Sequence, residues 1–254
     1  MALESGHYYD KDGNAVFEVP NKSKGGMRPT TLKDCRALGL YPSVTTVMKV
    51  LAAPELDRWK QQQVLMASLT LPRTPDETDE VYCARIMEDA FKQVSDAADL
   101  GTNIHAALEN HFQNIPYHPD MEPYVAPVRE WCAKNNVKFL KHELRLVNTE
   151  VGYAGTTDAL VEINGELHVL DYKSRKTKPD TKITPYSKEP MQISAYANIV
   201  GAKKGCNLYI STTEPGRIGE AFYDEETISR EYEAFKLVVA LWQHQNKYKP
   251  NENK

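Results

Sequence analysis

The sequence predicts an α/β fold in which a mixed central β-sheet is flanked by helices and preceded by a largely helical N-terminal portion. Three observations predict this fold. Two runs rich in β-branched and apolar residues flank Asn164-Gly165, a strong hairpin signal because a type I′ turn needs positive φ at both central residues. An alternating run at 137–147 leads into that hairpin. Apolar residues at helical spacing lie on both sides of it in the chain.

The first 136 residues are predicted to form a small hairpin followed by helices. Residues 7–19 alternate around Asp12-Gly13, which predicts the hairpin. Ser43 can cap a helix that ends near residue 51, and Pro54 suits the first turn of the next helix. The further predicted helices span 54–69, 80–92, 97–112 and 124–135. The segments 80–92 and 97–112 are either two helices or one continuous helix.

The remaining residues, 137–254, are predicted to form the sheet and the helices that cover it. The strand at 137–147 should turn Leu140, Leu144 and Leu146 to one face, and Phe139, Lys141, Glu143 and Arg145 to the other. After the hairpin, a helix is predicted over 190–200, strands over 207–212 and 220–223, and a terminal helix capped by Asp224. We expect the portions 1–136 and 137–254 to form one integrated domain.

The hairpin brings two aspartates face to face. If its loop is Asn164-Gly165, paired residue numbers sum to 329, so Asp158 lies opposite Asp171. Like charges placed so, with Cβ atoms roughly 5 Å apart, destabilise a sheet. Lys173 falls on the same face by period-2 alternation, opposite Thr156 and diagonal to Asp158. Two carboxylates and an ammonium group therefore meet at one end of the hairpin.

This arrangement is the one expected for a divalent metal ion that acts on a phosphate. Hard cations prefer oxygen ligands, and a cationic neighbour offsets the repulsion between the acids. The alternative is that Asp158, Asp171 and Lys173 are solvated residues on an exposed strand, since aspartate is depleted in strands but not excluded from them. The register also matters, because a one-residue slip would send Asp171 to the other face.

Composition and charge leave a nucleic-acid ligand open. The net charge of −4 does not exclude DNA, because local patches rather than totals make the contact. Two basic stretches are either solvated or contact phosphates: Lys22, Lys24 and Arg28 near the N-terminus, and Arg175, Lys176, Lys178, Lys182 and Lys188 after the hairpin.

Cysteine spacing and hydropathy argue against two further kinds of site. The four cysteines are far apart and form no CxxC pair, so we expect buried free thiols rather than a zinc or iron–sulfur centre. No apolar stretch approaches the roughly 20 residues that span a bilayer. The N-terminus carries no secretory or transit signal, so we expect a cytoplasmic protein, in the host cytoplasm if a phage encodes it.

Four short motifs resemble, in the right order, those of the PD-(D/E)XK nuclease superfamily. Gly155-Thr156-Thr157-Asp158 resembles the GxxD motif, Asp171-Tyr172-Lys173 the (D/E)xK motif, and Gln192-Ile193-Ser194-Ala195-Tyr196 the QxxxY motif. Gly101-Thr102-Asn103-Ile104-His105 is similar to the upstream histidine motif of the RecB-type exonuclease branch, which includes phage exonucleases and the mitochondrial genome maintenance exonuclease. A segment starting at Tyr41 also resembles that branch, and the likeness spans most of 41–200.

The resemblance implies a restriction-endonuclease-like core and a role for each motif residue. The implied metal ligands are His105, Asp158, Asp171 and the backbone carbonyl of Tyr172. The implied ion is Mg²⁺, and Mn²⁺ can substitute because imidazole suits it; no iron–sulfur cluster is expected. The implied catalytic residues are Asp158, Asp171, Lys173 and Glu143. The implied substrate-binding residues are Gln192, Tyr196, Thr156, Ser174, Arg175 and Lys176.

Three of these assignments have alternatives in the residues themselves. His105 and Glu109 lie one helical turn apart, which by itself is typical of a surface pair or a core histidine. Gly101 costs about 0.5–1 kcal/mol inside a helix, so we expect a close backbone approach or a metal site there. Glu143 is the candidate for a glutamate that relatives carry on the preceding strand, or else pairs with Lys141 or Arg145. Gln192 and Tyr196 line the site and either contact substrate or hold Lys173, as the resemblance implies, or else form a polar helix stripe.

The sequence therefore predicts a metal-dependent DNA exonuclease that acts on single- or double-stranded ends in recombination, repair or replication. One alternative is a structure-specific endonuclease of the same fold. Another is a non-catalytic nucleic-acid-binding recombination accessory, which ranks lower because every motif position, Lys173 included, is occupied. Relatives imply an oligomer, a toroid in some phage proteins, and a single-strand annealing protein as a partner.

Overall fold

The computed structural model describes residues 6–21, 25–250 and 252, with the side chains of 93–98 left undescribed. Of the basic N-terminal stretch, Lys22 and Lys24 lie outside these residues, and Arg28 forms an ion pair with Asp34 at 2.7 Å. The first elements are β1 (Tyr8–Tyr9), β2 (Glu18–Pro20), β3 (Met27–Pro29), α1 (Leu32–Leu38), β4 (Tyr41–Pro42) and α2 (Val44–Val47). A 3₁₀ turn, Met48–Val50, follows α2.

The predicted N-terminal hairpin is only partly correct. Residues Tyr9 and Ala15 form a single antiparallel bridge around the Asp12-Gly13 turn. Strand β1 instead pairs with β4, and β2 pairs with β3. The reason is burial: Tyr8 and Tyr9 are both buried, and pairing with β4 places them in the core beside Tyr41. The predicted cap at Ser43 is confirmed, since its side chain accepts a hydrogen bond from the Thr46 N–H.

Long helices follow, as the periodicity predicts. They are α3 (Pro54–Thr70), α4 (Asp79–Phe112) and α5 (Glu122–Lys134). The two helices predicted at 80–92 and 97–112 form the single helix α4, which carries Gly101 and His105 in its last three turns. Across the described ranges, no helix combines the length and apolar character needed to cross a membrane.

The central sheet is mixed and has five strands. They are β5 (Lys138–Asn148), β6 (Tyr153–Ile163), β7 (Glu166–Arg175), β8 (Lys204–Ser211) and β9 (Ile218–Tyr223), in that spatial order. Only β7 and β8 run parallel, and α6 (Glu189–Val200) connects them. Helix α7 (Glu225–Asn246) follows β9, and Asp224 caps it by accepting from the Thr227 N–H, as predicted. The fold is therefore α/β, as the sequence indicates.

The two faces of the sheet are covered by different helices. Helices α4 and α5 pack on one face, where Ile104, Leu108 and Trp131 meet Val161 and Leu170. Helices α6 and α7 cover the other face together with N-terminal residues, since Tyr8 and Val44 share a cluster with Ile193 and Trp242. Residues of both predicted portions, 1–136 and 137–254, thus contribute to one core.

The predicted register of the hairpin is confirmed. Asn164 and Gly165 have φ of 50° and 83°, as a type I′ turn requires. The paired residues run from Ile163 with Glu166 to Ala159 with Leu170, and each pair sums to the predicted value.

The predicted faces of β5 are wrong at Leu140. A register shift between Phe139 and Lys141 leaves Leu140 bulged and 36% exposed. A bulge adds one residue to the strand, so it resets the alternation of side chains. Leu144 and Leu146 pack toward α6 and α7, while Phe139 packs toward α4 and stacks on Phe112.

Candidate active site

The two strands of the central hairpin separate at Asp158 and Asp171. Pairing between β6 and β7 ends at Ala159 and Leu170, so Asp158 and Asp171 are the next residues outward on each strand. Beyond them, β6 pairs with β5, and β7 pairs with β8. A side chain replaces the backbone hydrogen bonding between the two strands at this point: the Asp158 Oδ2 atom accepts a hydrogen bond from the Tyr172 N–H at 2.5 Å. The parting leaves the carboxylates of Asp158 and Asp171 side by side at a point where β6 is still paired with β5 and β7 with β8.

Asp171 is a buried acid held between an ammonium and an amide. Only 4% of the residue is exposed, and its Oδ2 atom lies 2.5 Å from the Lys173 Nζ atom. The Asn207 Nδ2 group donates to the same oxygen at 3.3 Å. Burial raises the pKa of Asp171, and repulsion from Asp158 adds to that rise although Lys173 opposes it. The predicted meeting of Asp171 and Lys173 on one face is confirmed. The predicted strand pairs Asp158–Asp171 and Lys173–Thr156 do not form, because pairing between β6 and β7 ends at Ala159 and Leu170.

Lys173 links the acids to helix α6. Its Nζ group donates to the Gln192 Oε1 atom at 3.1 Å, and the Gln192 Nε2 group donates to the Tyr196 hydroxyl at 3.3 Å. Burial by itself would lower the pKa of Lys173, but the carboxylates of Asp171 and Asp158 outweigh it and raise the pKa above its ordinary value. Of the two roles predicted for Gln192 and Tyr196, the structure shows the holding of Lys173.

Helix α4 brings His105 against Asp158. The His105 Nδ1 atom lies 3.4 Å from the Asp158 Oδ1 atom, and the imidazole packs edge-on against the Tyr172 ring. Burial lowers the pKa of His105, but contact with the Asp158 carboxylate outweighs it, so the net shift is upward. A close approach at Gly101 is present, but a side chain makes it rather than the predicted backbone, because a Cβ there would lie 2.5 Å from the Ser174 Oγ atom of β7.

Glu143 completes a row of acids across three strands. The register sets His142 opposite Ala159 and Leu144 opposite Thr157, so Glu143 comes opposite Asp158. Its φ of 44° lies in the left-handed region, which costs a non-glycine residue energy and is concentrated at functional sites. Desolvation of the carboxyl group, followed by repulsion from Asp158, raises the pKa of Glu143 to about 7. Glu109 adds to this rise in the pKa of Glu143, and His105 opposes it.

Gly155 and Thr156 each contact another element beside the acids. A Cβ on Gly155 would lie 2.6 Å from Cε1 of the Tyr196 ring, so only glycine lets β6 approach α6 this closely. The Thr156 hydroxyl is 3.0 Å from the Tyr9 hydroxyl, which ties the N-terminal strand to the site. Thr156 thus lies beside the acids but already has a protein partner.

The basic run after Lys173 divides into three different environments. Ser174 packs against Gly101 on the α4 side of the sheet. Arg175 is drawn away from the acids, because its guanidinium pairs with Glu189 at 2.5 Å and its side chain is only 11% exposed. Lys176 is exposed to solvent. Of the three predicted substrate contacts, Lys176 is therefore the one whose charged group is open to a ligand.

The donor set suits a hard divalent cation in its chemistry. Asp158 and Asp171 offer carboxylate oxygens, and His105 offers an imidazole nitrogen; Mg²⁺ prefers the former and Mn²⁺ accepts both. Within the described residues, no three His, Cys, Asp or Glu side chains are already gathered as a ligand cluster. The present contacts explain why: His105 and Tyr172 hold Asp158, while Lys173 holds Asp171. The residues fit an ion that displaces these contacts.

Two residues that matter here carry no signal in the predicted motifs. Asn207 holds Asp171, and its own Oδ1 atom accepts from the Tyr223 hydroxyl at 2.8 Å. A polar residue inside the apolar run at 207–212 was the available signal. Glu189 receives Arg175 and the Tyr209 hydroxyl, and nothing in its local sequence distinguishes it from an ordinary helix N-terminal acid.

Comparisons with known proteins add little to this geometry. No family model matches the sequence, and no curated protein matches it. Among solved structures, the crystal structure of SSO0001 aligns with a TM-score of 0.31 and 18% sequence identity, covering 73% of this chain and 87% of that chain. A likeness this weak bears on neither chemistry nor partners.

Proposed function

We propose that the protein is a Mg²⁺- or Mn²⁺-dependent DNA exonuclease that hydrolyses phosphodiester bonds from DNA ends in recombination, repair or replication. One observation carries the proposal: Asp158, Asp171 and Lys173 converge where β6 and β7 part, with His105 against Asp158. Paired acids that repel each other in the absence of a ligand are costly. A divalent cation would remove that cost, and a neighbouring ammonium would suit a phosphate.

The residues that would hold the ion are Asp158, Asp171, His105 and the backbone carbonyl of Tyr172. When bound, such an ion lowers the pKa of a water molecule and polarises the scissile phosphate. Burial, with a smaller contribution from the neighbouring acids, raises the pKa values of Asp171 and Glu143, and a bound cation would favour the charged forms of both.

Lys173 has two tasks in this proposal. Without an ion, its ammonium offsets part of the negative charge of Asp171, from which it is 2.5 Å away. With DNA bound, it orients the attacking water or stabilises the charge that develops on the phosphate. Gln192 and Tyr196 hold the ammonium in position, so the QxxxY segment acts through Lys173. Glu143 would add a third carboxylate, and exposed Lys176 would contact the phosphate backbone.

Cleavage of defined DNA tests the proposal. End-labelled linear single- and double-stranded DNA and closed circles would be incubated with Mg²⁺, Mn²⁺ or EDTA. We expect loss of the linear substrates only, dependent on metal, and at least about 100-fold slower with Asp171→Ala. Glu166→Ala is a matched control, because Glu166 is an exposed acid at the other end of β7.

The other outcomes of this assay point to the alternatives. Metal-dependent cleavage of closed circles would indicate an endonuclease. No metal-dependent cleavage of any DNA, with DNA binding retained in Asp158→Ala and Asp171→Ala, would overturn the enzyme and favour a recombination accessory protein that acts by binding.

A further inference from the structure

The segment between β7 and α6, residues 176–188, is a basic loop fixed at both ends. It carries four lysines and one aspartate, in a chain whose net charge is −4. At its start, the Thr177 N–H donates to the Thr213 Oγ1 atom at 2.9 Å, and Arg217 donates to the Lys178 carbonyl at 2.8 Å. At its end, Arg175 donates to the Thr184 carbonyl. The loop is therefore held in one shape by contacts with β7 and the β8–β9 hairpin.

Tyr186 stands out in this loop as a large aromatic residue that is 65% exposed. Its backbone is fixed to the first turn of α6, since its N–H donates to the Glu189 Oε2 atom at 2.8 Å. Its ring is fixed from one side, because the Arg175 guanidinium carbon lies 3.8 Å from the ring centroid. With 65% of the residue exposed, Tyr186 still offers surface to a ligand.

Arg175 does not require this ring for its own stability. It already pairs with Glu189 at 2.5 Å and lies 4.4 Å from the centroid of the buried Tyr209 ring. A stacked cation behind an exposed ring removes conformational freedom from that ring before any ligand arrives. A flat, preset aromatic surface is the feature on which proteins stack an unpaired nucleobase.

Arg175, which backs the Tyr186 ring, follows the acid cluster closely on β7. Arg175 is two residues beyond Lys173 on β7, about 7 Å along the strand. On α6, Glu189 is one turn before Gln192, which holds Lys173. Two stacked nucleotides of one DNA strand cover a similar distance, at roughly 3.4 Å each.

The neighbouring charges suit a DNA strand. Lys176, Lys178 and Lys182 are exposed, and none of the three forms an ion pair with any described residue. Lys188, in contrast, donates to the Leu51 carbonyl at 2.8 Å and serves to hold the loop. Free ammonium groups beside an exposed aromatic ring are the combination used to bind single strands, with the lysines on phosphates and the ring on a base.

We infer that Tyr186, backed by Arg175, is a stacking platform for one unpaired nucleobase near the end of the bound DNA strand. This inference rests on the proposed function, because it takes DNA to be the substrate of the adjoining acids. It adds a specific contact to a base, whereas the motif residues contact only phosphate and metal.

Binding measured without hydrolysis tests the platform. Oligonucleotides with one 2-aminopurine, moved position by position from the end, would be titrated with protein in EDTA. We expect stacking on Tyr186 to quench the fluorophore at one or two positions. Anisotropy titrations should show binding about 5-fold or more weaker for Tyr186→Leu and Tyr186→Ala, and near wild-type binding for Tyr186→Phe. Thermal denaturation would confirm that each variant is folded; should Tyr186→Ala unfold, Tyr186→Leu, which still covers Arg175, decides.

Two controls separate stacking from charge. An abasic residue at the quenched position should weaken wild-type binding and leave Tyr186→Leu binding unchanged. Lys182→Gln should lower the slope of binding against salt concentration, whereas Tyr186→Leu should leave the slope unchanged. The platform is overturned if Tyr186→Leu binds like wild type, if the abasic and tyrosine effects simply add, or if the wild-type protein binds no single strand.

These outcomes are independent of cleavage. Tyr186-dependent quenching in a protein that never cleaves DNA would support the platform and overturn the exonuclease. Cleavage that requires Asp171, together with binding that ignores Tyr186, would do the reverse.

Discussion

Lys173 and Arg175 lie two residues apart on β7, and each forms an ion pair with a buried carboxylate. The two ion pairs differ in how many further hydrogen-bond and charge partners surround them. In the first, Asp171 and Lys173 are 2.5 Å apart, and in the second Arg175 and Glu189 are also 2.5 Å apart. Distance alone therefore does not distinguish them. Their surroundings do.

The Arg175–Glu189 pair has a complete set of partners. One Glu189 oxygen accepts from Arg175, and the other accepts from the Tyr209 hydroxyl and the Tyr186 N–H, each at 2.8 Å. Arg175 also donates to the Thr184 carbonyl and lies between two tyrosine rings. Buried charges with this many partners are stable where they are and leave nothing to offer a ligand.

The Asp171–Lys173 pair sits beside further negative charge. Asp158 lies on β6, next to the last residue that pairs with β7, and Glu143 lies opposite Asp158 on β5. Burial and these neighbours raise the pKa values of Asp171 and Glu143. Under the proposed function, the unbalanced cluster serves chemistry and the balanced pair serves stability.

The largest expected effect comes from breaking the unbalanced cluster. Asp171→Asn should slow DNA cleavage on the order of 1,000-fold, because the proposed function makes Asp171 a metal ligand. It should leave the free energy of unfolding in EDTA unchanged or higher, because it also removes charge repulsion. Initial rates and urea denaturation measure the two quantities. Destabilisation by several kcal/mol would put Asp171 in the same structural role as Glu189.

Breaking the balanced pair should have the opposite profile. Arg175→Met should lower the free energy of unfolding by about 3–5 kcal/mol, because Glu189 remains buried without its cation. Urea denaturation would measure it, with Lys138→Met as the control. Lys138 pairs with Glu162 at the surface, so its loss should cost less than about 1 kcal/mol. Equal effects for the two variants would contradict the structural role of Arg175.

A variant of Lys173 should distinguish metal binding from turnover. Lys173→Ala should slow cleavage at saturating metal about 100-fold, since it removes the group that orients water or stabilises the phosphate charge. Its Mn²⁺ affinity should stay within a few-fold of wild type, because Asp158 and Asp171 remain. Metal titrations of the cleavage rate give both values, and full activity would remove Lys173 from the mechanism.

The smallest expected effect is a pH dependence of stability. The pKa of Glu143 is about 7 in the folded protein, against an ordinary value near 4.5, so between these values the folded protein keeps a proton that the unfolded chain releases. Stability in EDTA should therefore rise as pH falls from 8 to 6, and the rise should be smaller in Glu143→Gln. Urea midpoints at both pH values measure it; an unchanged rise would show that Glu143 does not titrate there.

The sequence predicts the centre of the site well because its signals are local. Asn164-Gly165 determines the turn, the turn determines the register, and the register brings Asp158 to Asp171. The spacing of Gln192 and Tyr196 by one helical turn likewise suffices to predict that they act together. The separation of β6 and β7 at the acids could not be predicted from these local signals, because there the Asp158 side chain, rather than a backbone carbonyl, accepts the hydrogen bond of the Tyr172 N–H.

The errors arise where distant residues decide the outcome. The basic run suggests that Arg175 contacts phosphate, but Glu189 and Tyr209 capture it, and their positions depend on the packing of α6 and β8. The bulge at Leu140 has no glycine or proline to signal it, so simple alternation misassigns its face.

Calorimetric titration of Mn²⁺ into the wild-type protein and Asp171→Ala, with Glu166→Ala as control, tests the central claim most directly. The claim is that the acids at the parted hairpin hold a divalent cation. We expect saturable binding by the wild type and by Glu166→Ala, and no measurable binding by Asp171→Ala. Equal binding by all three proteins would contradict the assignment of Asp171 as a metal ligand.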